Sequence, residues 1–144
     1  MTQRTIRMII EGKELVTAAA ATTVSEAARL MKNRRVGAVM VMEDDRLVGV
    51  FTERDALFRV VAEERDARTT LLAEVMTPRP QTIHPDKPFA LALEMMHNGR
   101  FRNVPVIEDD RLLGVVSVHD ALGPELESFV YELLRQEQIG DVLA

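Results

Sequence analysis

An internal repeat is the feature that most constrains how this chain folds. A shift of 65 positions aligns residues 24–57 with residues 89–122 without a gap, and 16 of these 34 positions carry the same residue. The register extends backwards to pair Thr17 with Thr82, around which we expect a short strand in each copy. One copy alone would leave an apolar face bare, so we expect two copies of one supersecondary unit to close over a shared core.

Each copy presents the same succession of periodicities. Apolar residues recur at helical spacing from Val24 and from Phe89, which predicts an amphipathic helix at the start of each copy. Two β-branched runs follow and are joined through aspartate pairs at 44–45 and 109–110, which predicts hairpins. With the short strand in front and a second helix behind, we predict an α+β fold of two tandem β-α-β-β-α units packed with pseudo-twofold symmetry.

The repeat also divides the chain into segments. We predict an N-terminal segment (1–14), repeat 1 (15–68), a connector (69–79), repeat 2 (80–123) and a C-terminal helix (124–144). The second helix of repeat 1 is expected from Ala56 to about Glu64. In the C-terminal helix, apolar residues between Leu126 and Leu134 follow helical spacing. Two interpretations stay open for them, packing on the helix's own domain or a seam between two copies of the chain.

Composition excludes several classes of protein. The 144 residues are 47% hydrophobic and 28% charged, which is typical of a globular domain and not of a disordered one. The net charge is -5 and the basic residues are scattered, so no nucleic-acid partner is expected. The sequence has no cysteine, and its longest apolar run, residues 36–42, is far too short to cross a bilayer. We therefore expect a cytoplasmic protein with no membrane partner.

A short polar motif ends the hairpin of each copy. The first, GVFTERDAL, covers residues 49–57, and the second, GVVSVHDAL, covers residues 114–122. We call residues 52–55 the first elbow and residues 117–120 the second elbow. One interpretation is that both are capping boxes, in which a hydroxyl and an acid satisfy backbone amides at a helix start.

The other interpretation makes each elbow a ligand site. A helix start with free amides can hold a phosphate beside the hydroxyl, and a carboxylate can accept hydrogen bonds from two ribose hydroxyls. Basic residues near the elbows are candidate phosphate partners, namely Arg54, Arg100, Arg102 and His119. A nucleobase needs an apolar slot, which strand residues such as Val39 or Val104 are placed to line.

Other constellations do not indicate catalysis or a metal site. The acidic tips at 43–45 and 108–110 lack the length and spacing of a calcium loop, so we interpret them as solvated hairpin tips. Ser117, His119 and Asp120 have the residue types of a hydrolase triad but are crowded onto one turn. No histidine has a partner at zinc-binding spacing. We predict no catalytic residue, no metal and no required cofactor.

The doubled unit resembles a pair of cystathionine-β-synthase (CBS) domains, often called a Bateman module. The likeness covers roughly Leu15 to Leu122 and is carried by the two elbow motifs, the connector sequence at 75–78 and the sequence Val-Pro-Val at 104–106. It implies clefts between the repeats that bind an adenosine-containing ligand such as AMP, ADP, ATP, NAD(H) or S-adenosylmethionine. It also implies a regulatory role, a homodimer and a regulated protein partner.

The resemblance assigns ligand contacts to the elbows and to the strands beside them. The predicted ligand-binding residues are Thr17, Gly37, Ala38, Val39, Thr52, Arg54, Asp55, Thr82, Arg102, Asn103, Val104, Pro105, Ser117, His119 and Asp120.

The copies differ where base and phosphate would sit, so we expect unequal affinities of the two clefts for a ligand and a phosphate preference in the second cleft. The alternative is a protein-interaction module in which the elbows are only caps. Residues 37–38 are small enough to admit a base close to the backbone.

Overall fold

A computed structural model describes residues 4–143 of the chain, with side chains as far as Glu137. In chain order its elements are α1 (Ile6–Ile10), β1 (Thr17–Ala19), α2 (Val24–Arg34), β2 (Ala38–Glu43), β3 (Arg46–Thr52), α3 (Glu53–Asp55) with a π-helical continuation (Ala56–Val61), α4 (Leu72–Val75), β4 (Thr77–Pro78), α5 (Phe89–Gly99), β5 (Asn103–Glu108), β6 (Arg111–Ser117), a 3-10 turn (Val118–Asp120) and α6 (Gly123–Leu143). Residues 1–3 and Ala144, which the predicted end segments include, lie outside the described residues.

The strands form one sheet in each repeat. The first sheet has the order β1-β2-β3-β4, with β1 parallel to β2 and the other neighbours antiparallel. The second consists of β5 and β6, beside which Ile83 forms a single parallel bridge to Val106. The strand expected around Thr82 is therefore reduced to that bridge, because Pro80 and Pro85 flank it and have no amide to extend the pairing.

Both predicted hairpins are confirmed. Their pairing ends at Glu43 with Arg46 in the first copy and at equivalent residues in the second. The two aspartates of each tip have positive φ angles, 51° and 60° at residues 44–45 and 51° and 62° at residues 109–110. Positive φ at both central residues is the type I′ geometry that matches the twist of the strands, and aspartate tolerates it better than most residues.

Two short helices are exchanged between the repeats. Helix α1, which precedes repeat 1, packs on repeat 2, where the Ile6 amide donates to the Lys87 carbonyl at 2.9 Å. Helix α4, which precedes repeat 2, packs on repeat 1, where the Leu72 amide donates to the Thr22 carbonyl at 2.9 Å. Ile6 and Leu72 are both fully buried, each in the core of the other repeat. The pseudo-twofold symmetry thus includes the segments in front of the repeats.

The glycine of each elbow motif gives room to the exchanged segment. A Cβ atom at Gly49 would lie 2.3 Å from the Sδ atom of Met76, just after α4. A Cβ atom at Gly114 would lie 3.0 Å from the Cβ atom of Ile10, the last residue of α1. Both glycines therefore mark close approaches of a neighbouring segment to the strand.

Each repeat has its own apolar core. The buried residues of the first are Val16, Val24, Ala27, Met31, Val39, Val41, Phe51, Val60, Leu72 and Val75. Those of the second are Ile6, Ile9, Ile83, Phe89, Ala92, Leu93, Met96, Val104, Val106 and Val116. The helices predicted from Val24 and Phe89 are confirmed, and they bury the faces that their spacing indicated. Strands β3 and β6 contact each other, which joins the two halves.

The second helices of the two repeats differ. After α3, the chain continues as a π-helix, in which the Ala62 amide donates to the Leu57 carbonyl at 2.9 Å, and it ends at Val61 rather than near Glu64. In repeat 2 the 3-10 turn is followed by extended Ala121, and α6 then starts at Gly123, one residue from the predicted start. Across residues 4–143, no helix is both long enough and apolar enough to span a lipid bilayer.

Helix α6 packs on the second core through only part of its apolar stripe. The Phe129 ring contacts that core, and its centroid lies 5.9 Å from the His97 ring in an edge-to-face arrangement. Leu126, Val130 and Leu134 remain exposed on the same helix. Packing on its own domain thus accounts for Phe129 and leaves a row of apolar side chains on the surface.

The exchange predicts the effect of truncating Ile6. We expect Ile6→Ala to lower the free energy of unfolding by about 2–5 kcal/mol, because it leaves a cavity in the second core. Met8→Ala is the matched control on the same helix, since Met8 is exposed and its change should stay within about 0.5 kcal/mol. Denaturant unfolding measures both, and equal small losses would contradict the packing of α1 in the second core.

Candidate functional site

The first elbow is a reciprocal cap tied to the exchanged segment. The Thr52 amide donates to Asp55 Oδ2 at 2.9 Å, and the Asp55 amide donates to Thr52 Oγ1 at 3.2 Å. Asp55 is buried, and Arg59 Nε lies 3.5 Å from its Oδ1 atom. Arg59 also donates to the carbonyls of Val75 and Met76 at 3.2 and 3.0 Å. One guanidinium therefore connects the elbow carboxylate to the end of α4.

The second elbow has the same design with a different cation. The Ser117 amide donates to Asp120 Oδ2 at 2.7 Å, and Ser117 Oγ accepts from the His119 amide at 3.2 Å. Lys13, which follows α1, places its Nζ atom 2.7 Å from Asp120 Oδ2 and donates to the Val115 carbonyl at 3.0 Å. In both copies a basic residue thus joins the elbow carboxylate to the exchanged segment.

The elbow amides expected to hold a phosphate are already hydrogen-bonded. Besides those of Thr52 and Ser117, the Glu53 amide donates to the Gly37 carbonyl at 3.0 Å and the Val118 amide to the Arg102 carbonyl at 3.1 Å. Helix α3 and its π-helical continuation follow the first elbow, whereas only an isolated 3-10 turn follows the second, which therefore has no long helix dipole behind it. A phosphate at either elbow would have to break these hydrogen bonds to use the four amides, so exposed side chains are its first partners.

The hairpin register brings several predicted residues together. Ala38 lies opposite Thr52, and Asn103 lies opposite Ser117. We call the surface beside residues 37–38 and the first elbow the first cleft, and the surface beside residues 102–103 and the second elbow the second cleft. These two groups are the core of the candidate site.

Other predicted residues lie away from these groups or below the surface. Val39 and Val104 are fully buried in the two cores, so their side chains do not line an open slot for a base, and Pro105 is buried as well. Thr17 is exposed on β1 and lines a shallow pocket of about 230 Å³. Thr82 is exposed beside the bridge at Ile83.

The basic candidates are distributed unevenly. The Arg54 guanidinium lies over the Phe58 ring, 5.4 Å from its centroid, which holds it on the outer face of the helix. Arg100 ends α5 in the left-handed conformation with a φ of 57°. Arg102 and His119 are exposed near the second elbow. Two exposed basic side chains, those of Arg102 and His119, therefore lie near the second elbow.

Arg4 clamps the second elbow to the start of α6. Its guanidinium donates to the Asp120 carbonyl at 2.8 Å and forms an ion pair with Glu125. Glu125 also accepts from the Leu122 amide at 2.9 Å. The hydrogen bond from Arg4 lowers the pKa of Glu125 below its usual value of 4.5, and the same bond raises the pKa of Arg4. No sequence pattern indicated this contact, which joins residues 121 positions apart.

A second cluster of titratable residues lies at Arg7. His84, Asp86 and Glu108 bring potential ligand atoms within 4.8 Å of one another, although their sequence spacing did not indicate a site. The Arg7 guanidinium donates to Asp86 Oδ1 at 3.1 Å and to Glu108 Oε2 at 2.8 Å, and these bonds raise its pKa. The carboxylates already have a cation from the protein, so the cluster is explained as an ion-pair network.

A larger cleft of about 420 Å³ lies outside the predicted site. It is lined by Phe58, Arg59, Glu63, Arg65, Glu74 and Val75. Arg65 and Glu74 form an ion pair across it, with 3.1 Å between Nη2 and Oε1. None of the residues predicted to bind a ligand lines this cleft.

Comparison with known proteins agrees with the repeated architecture. The family model of the CBS domain matches residues 10–62 and, a second time, residues 72–123. The protein belongs to the CBS-domain family. Among curated proteins, the mitochondrial CBS domain-containing protein CBSX3 of Arabidopsis thaliana is 31% identical over 118 residues, which is 78% of this chain and 57% of that protein. CBSCBSPB5 of the same organism is 40% identical over 85 residues, 59% of this chain but only 15% of its own length.

Solved CBS structures have the same fold. A putative signal-transduction protein from Burkholderia ambifaria superposes with a TM-score of 0.78 at 27% identity, covering 89% of this CBS chain and 95% of its own. A hexameric CBS-CP12 protein from bloom-forming cyanobacteria has a TM-score of 0.76 at 27% identity, covering 83% and 67%. The CBS pair of protein MJ0100, solved with 5-methylthioadenosine and S-adenosyl-L-methionine, has a TM-score of 0.73, covers 83% and 93%, and at 24% identity is similar in fold.

The Arg4 clamp predicts a pH dependence of stability. Because the pKa of Glu125 is lowered in the folded state, the pair stabilises the protein above pH 4.5, and this contribution is lost as the pH falls through the folded pKa. We expect Glu125→Gln to cost up to about 1 kcal/mol at pH 7 and to lose less stability than the unmodified protein on acidification. Glu127→Gln, at an exposed position on α6, is the control. Unfolding measured from pH 7 to pH 3 tests this, and parallel curves for all three proteins would contradict it.

Proposed function

We propose that this CBS pair is a non-catalytic regulatory module that binds an adenosine-containing ligand beside its elbows and transmits occupancy to a partner protein or to its own oligomer. The observation that carries the proposal is that each elbow carboxylate is tied to an exchanged segment, Asp55 through Arg59 and Asp120 through Lys13. A ligand that binds such a carboxylate shares its negative charge with the cation, and so changes how strongly the segment is held.

The second cleft is the better candidate for the first ligand. The Asp120 side chain is 18% exposed, against 11% for Asp55, and its contacts to Ser117 and Lys13 are both made by Oδ2. Oδ1 is the atom that we expect to accept the ribose hydroxyls. Arg102 is exposed next to the strand residue opposite Ser117, where it can pair with a phosphate. AMP, ADP, ATP, NAD(H) and S-adenosylmethionine all offer the ribose that this arrangement requires.

The contacts of Lys13 offer a route by which ligand binding at the second elbow would be transmitted to a partner. Its Nζ atom binds both Asp120 Oδ2 and the Val115 carbonyl, and Lys13 lies three residues after the end of α1. Ribose hydroxyls bound at Asp120 Oδ1 would draw on the same carboxylate charge, weaken this attachment and make the N-terminal segment easier to detach. A partner that recognises this segment, or the surface below it, would then sense the ligand.

The elbow geometry also supports a non-catalytic role. Ser117 Oγ accepts a hydrogen bond from the His119 amide, and the Asp120 carboxylate binds the Ser117 amide and Lys13. These groups are arranged as a cap and an ion pair, whereas a triad needs the imidazole between hydroxyl and carboxylate.

We also propose a cytoplasmic location, because the sequence has no cysteine.

A panel of adenosine, AMP, ADP, ATP, NADH and S-adenosylmethionine tests ligand binding by thermal shift. A specific ligand at about 100 times its dissociation constant should add about 2.7 kcal/mol of stability. Asp120→Ala should abolish the shift of a ligand that binds the second cleft, and Asp55→Ala that of a ligand that binds the first, in proteins that still fold, because the ribose acceptor of that cleft is gone. Glu127→Ala removes an exposed carboxylate from α6 and should leave the shift unchanged. A panel without any shift would contradict the proposal.

A protein-interaction module without a ligand is the second candidate function. It is favoured by the amides of Thr52, Glu53, Ser117 and Val118, which are satisfied within the protein. On this alternative, Asp55→Ala and Asp120→Ala lower stability by the loss of a cap, about 1 kcal/mol each, and no nucleotide changes the melting temperature of either variant or of the unmodified protein.

We propose that the module forms a homodimer through apolar side chains that recur in both repeats. Leu57 and Val61 are exposed in repeat 1, and their equivalents Leu122 and Leu126 are exposed in repeat 2. Val130 extends this surface along α6. A second copy turned about a twofold axis would meet the same apolar positions twice, which is the self-complementary arrangement of a C2 interface.

Lysine substitution tests the dimer. We expect Val61→Lys combined with Leu126→Lys to convert the dimer into a monomer, since it buries two charges in the apolar interface. Ser128→Lys combined with Gln136→Lys adds the same two charges at exposed polar positions of α6 and should leave the dimer intact. Sedimentation velocity measures all three proteins, and an unmodified protein that is monomeric at high concentration would contradict the interface.

A further inference from the structure

Gly37 and Arg102 occupy equivalent positions in the two repeats. The difference between a glycine and an arginine at this position changes the charge of the two clefts. The Gly37 carbonyl accepts from the Glu53 amide at 3.0 Å, and the Arg102 carbonyl accepts from the Val118 amide at 3.1 Å. The backbones of the two elbows therefore match at this point. A difference in charge between the clefts therefore comes from side chains, among which those of Gly37 and Glu53 differ from those of Arg102 and Val118.

In the first cleft, the carboxylate of Glu53 fills the space that a side chain at Gly37 would take. A Cβ atom at Gly37 would lie 3.2 Å from Glu53 Oε1 and 3.4 Å from its Cδ atom. Both residues are exposed, so the carboxylate lies at the open surface of the cleft. The opening beside the first elbow is thus lined by a negative charge.

In the second cleft, both residues are replaced by ones with the opposite effect. Val118 stands in the place of Glu53 and packs partly against the second core. Arg102 stands in the place of Gly37, so its Cβ atom leaves the backbone on the side where Glu53 lies in the first copy, and its side chain is exposed. A carboxylate in one cleft is thus exchanged for a guanidinium in the other.

The remaining charged groups do not cancel this difference. Near the first elbow, Asp55 is paired with Arg59, and Arg54 is held over the Phe58 ring. Near the second elbow, Asp120 is paired with Lys13, and Arg4 is paired with Glu125. The three ion pairs are close to neutral, whereas Arg54 keeps its positive charge but is held over the Phe58 ring on the outer face of the helix. Glu53 and Arg102 therefore dominate the charge that a ligand meets on entering either cleft.

We propose that the two clefts select adenosine ligands of different charge: the first takes an unphosphorylated one, such as the nucleoside or a thioether or sulfonium derivative, and the second takes a phosphorylated one. The inference rests on the proposed function. A phosphate beside Glu53 would meet a like charge at a few ångströms, whereas the same phosphate beside Arg102 gains a charge-assisted pair. One chain would then report on two pools of adenosine compounds at once.

Adenosine and AMP are the matched probes, since they differ only by the phosphate. Amide NMR of the full chain follows each cleft separately, through Ala38 and Thr52 in the first and Asn103 and Ser117 in the second. At the first cleft we expect adenosine to bind about 10-fold or more tightly than AMP, and at the second the reverse order. Higher ionic strength should reduce both ratios.

Two substitutions test whether Glu53 and Arg102 cause the opposite ligand preferences of the two clefts. Glu53→Val, which copies the residue of repeat 2, should reduce the preference for adenosine at the first cleft about 10-fold and leave the second unchanged. Arg102→Gly, which copies repeat 1, should remove the preference for AMP at the second cleft only. Glu63→Val is the control for net charge, because Glu63 is exposed outside both clefts and should change neither ratio.

The outcomes separate this inference from the proposed function. Binding of both probes with the same ratio at the two clefts, or ratios that do not respond to Glu53→Val and Arg102→Gly, would overturn the charge selection and leave the proposed function standing. The absence of any shift with either probe, at either cleft, would overturn the charge selection, and the same absence with every ligand of the thermal-shift panel would overturn the proposed function as well. Opposite ratios that respond to the two substitutions as described support both.

Discussion

The rest of the structure depends on the exchange of α1 and α4 between the repeats. Each of these short helices would be unstable by itself, and each gains its stability from an apolar residue that is fully buried in the other repeat's core, Ile6 or Leu72. Backbone pairing at Thr5 with Pro88 and at Thr23 with Leu71 fixes each exchanged segment against the start of an opening helix. Neither core is complete without the segment that precedes the other repeat.

The exchange gives each shared residue type of the elbow motif, namely its glycine, its hydroxyl residue and its aspartate, a structural role. Its glycine gives the exchanged segment room to approach the strand, its hydroxyl residue caps the following turn, and its aspartate pairs with a cation that contacts the segment. Three residues within seven positions therefore join strand, turn and segment at one junction. The ligand proposed above would therefore act on contacts that hold the two repeats together, which a ligand bound to an isolated loop would not do.

Much of the architecture could be predicted because periodicity within a repeat is a local property. The opening helices at Val24 and Phe89 and both hairpins followed from spacing alone, and the fixed offset between the copies predicted their symmetry. The exchange could not be predicted in this way. No helix was predicted over α1 or α4, which lie in the predicted N-terminal segment and connector, and two equivalent cores were available to the apolar residues of each segment.

The candidate site could be predicted only in part, for similar reasons. The two elbows and the neighbouring residues Ala38 and Asn103 do lie together, because the register of a hairpin follows from its turn. Val39 and Val104, one position further along, face the cores, since successive strand residues point to opposite sides. The cations Lys13 and Arg59 were missed because their contacts to the elbows depend on how the exchanged segments dock.

The exchanged helices also bear on how such a chain can arise from a shorter one. A single repeat carrying its own leading segment would have a core that only another molecule's segment could fill, so two such molecules would satisfy each other by trading segments. The present chain corresponds to that pair joined end to end, with residues 69–79 serving both as the link and as one of the traded pieces. Duplication in this case converts an association that depends on concentration into one that is built into the polypeptide, and it frees the two halves to diverge in charge.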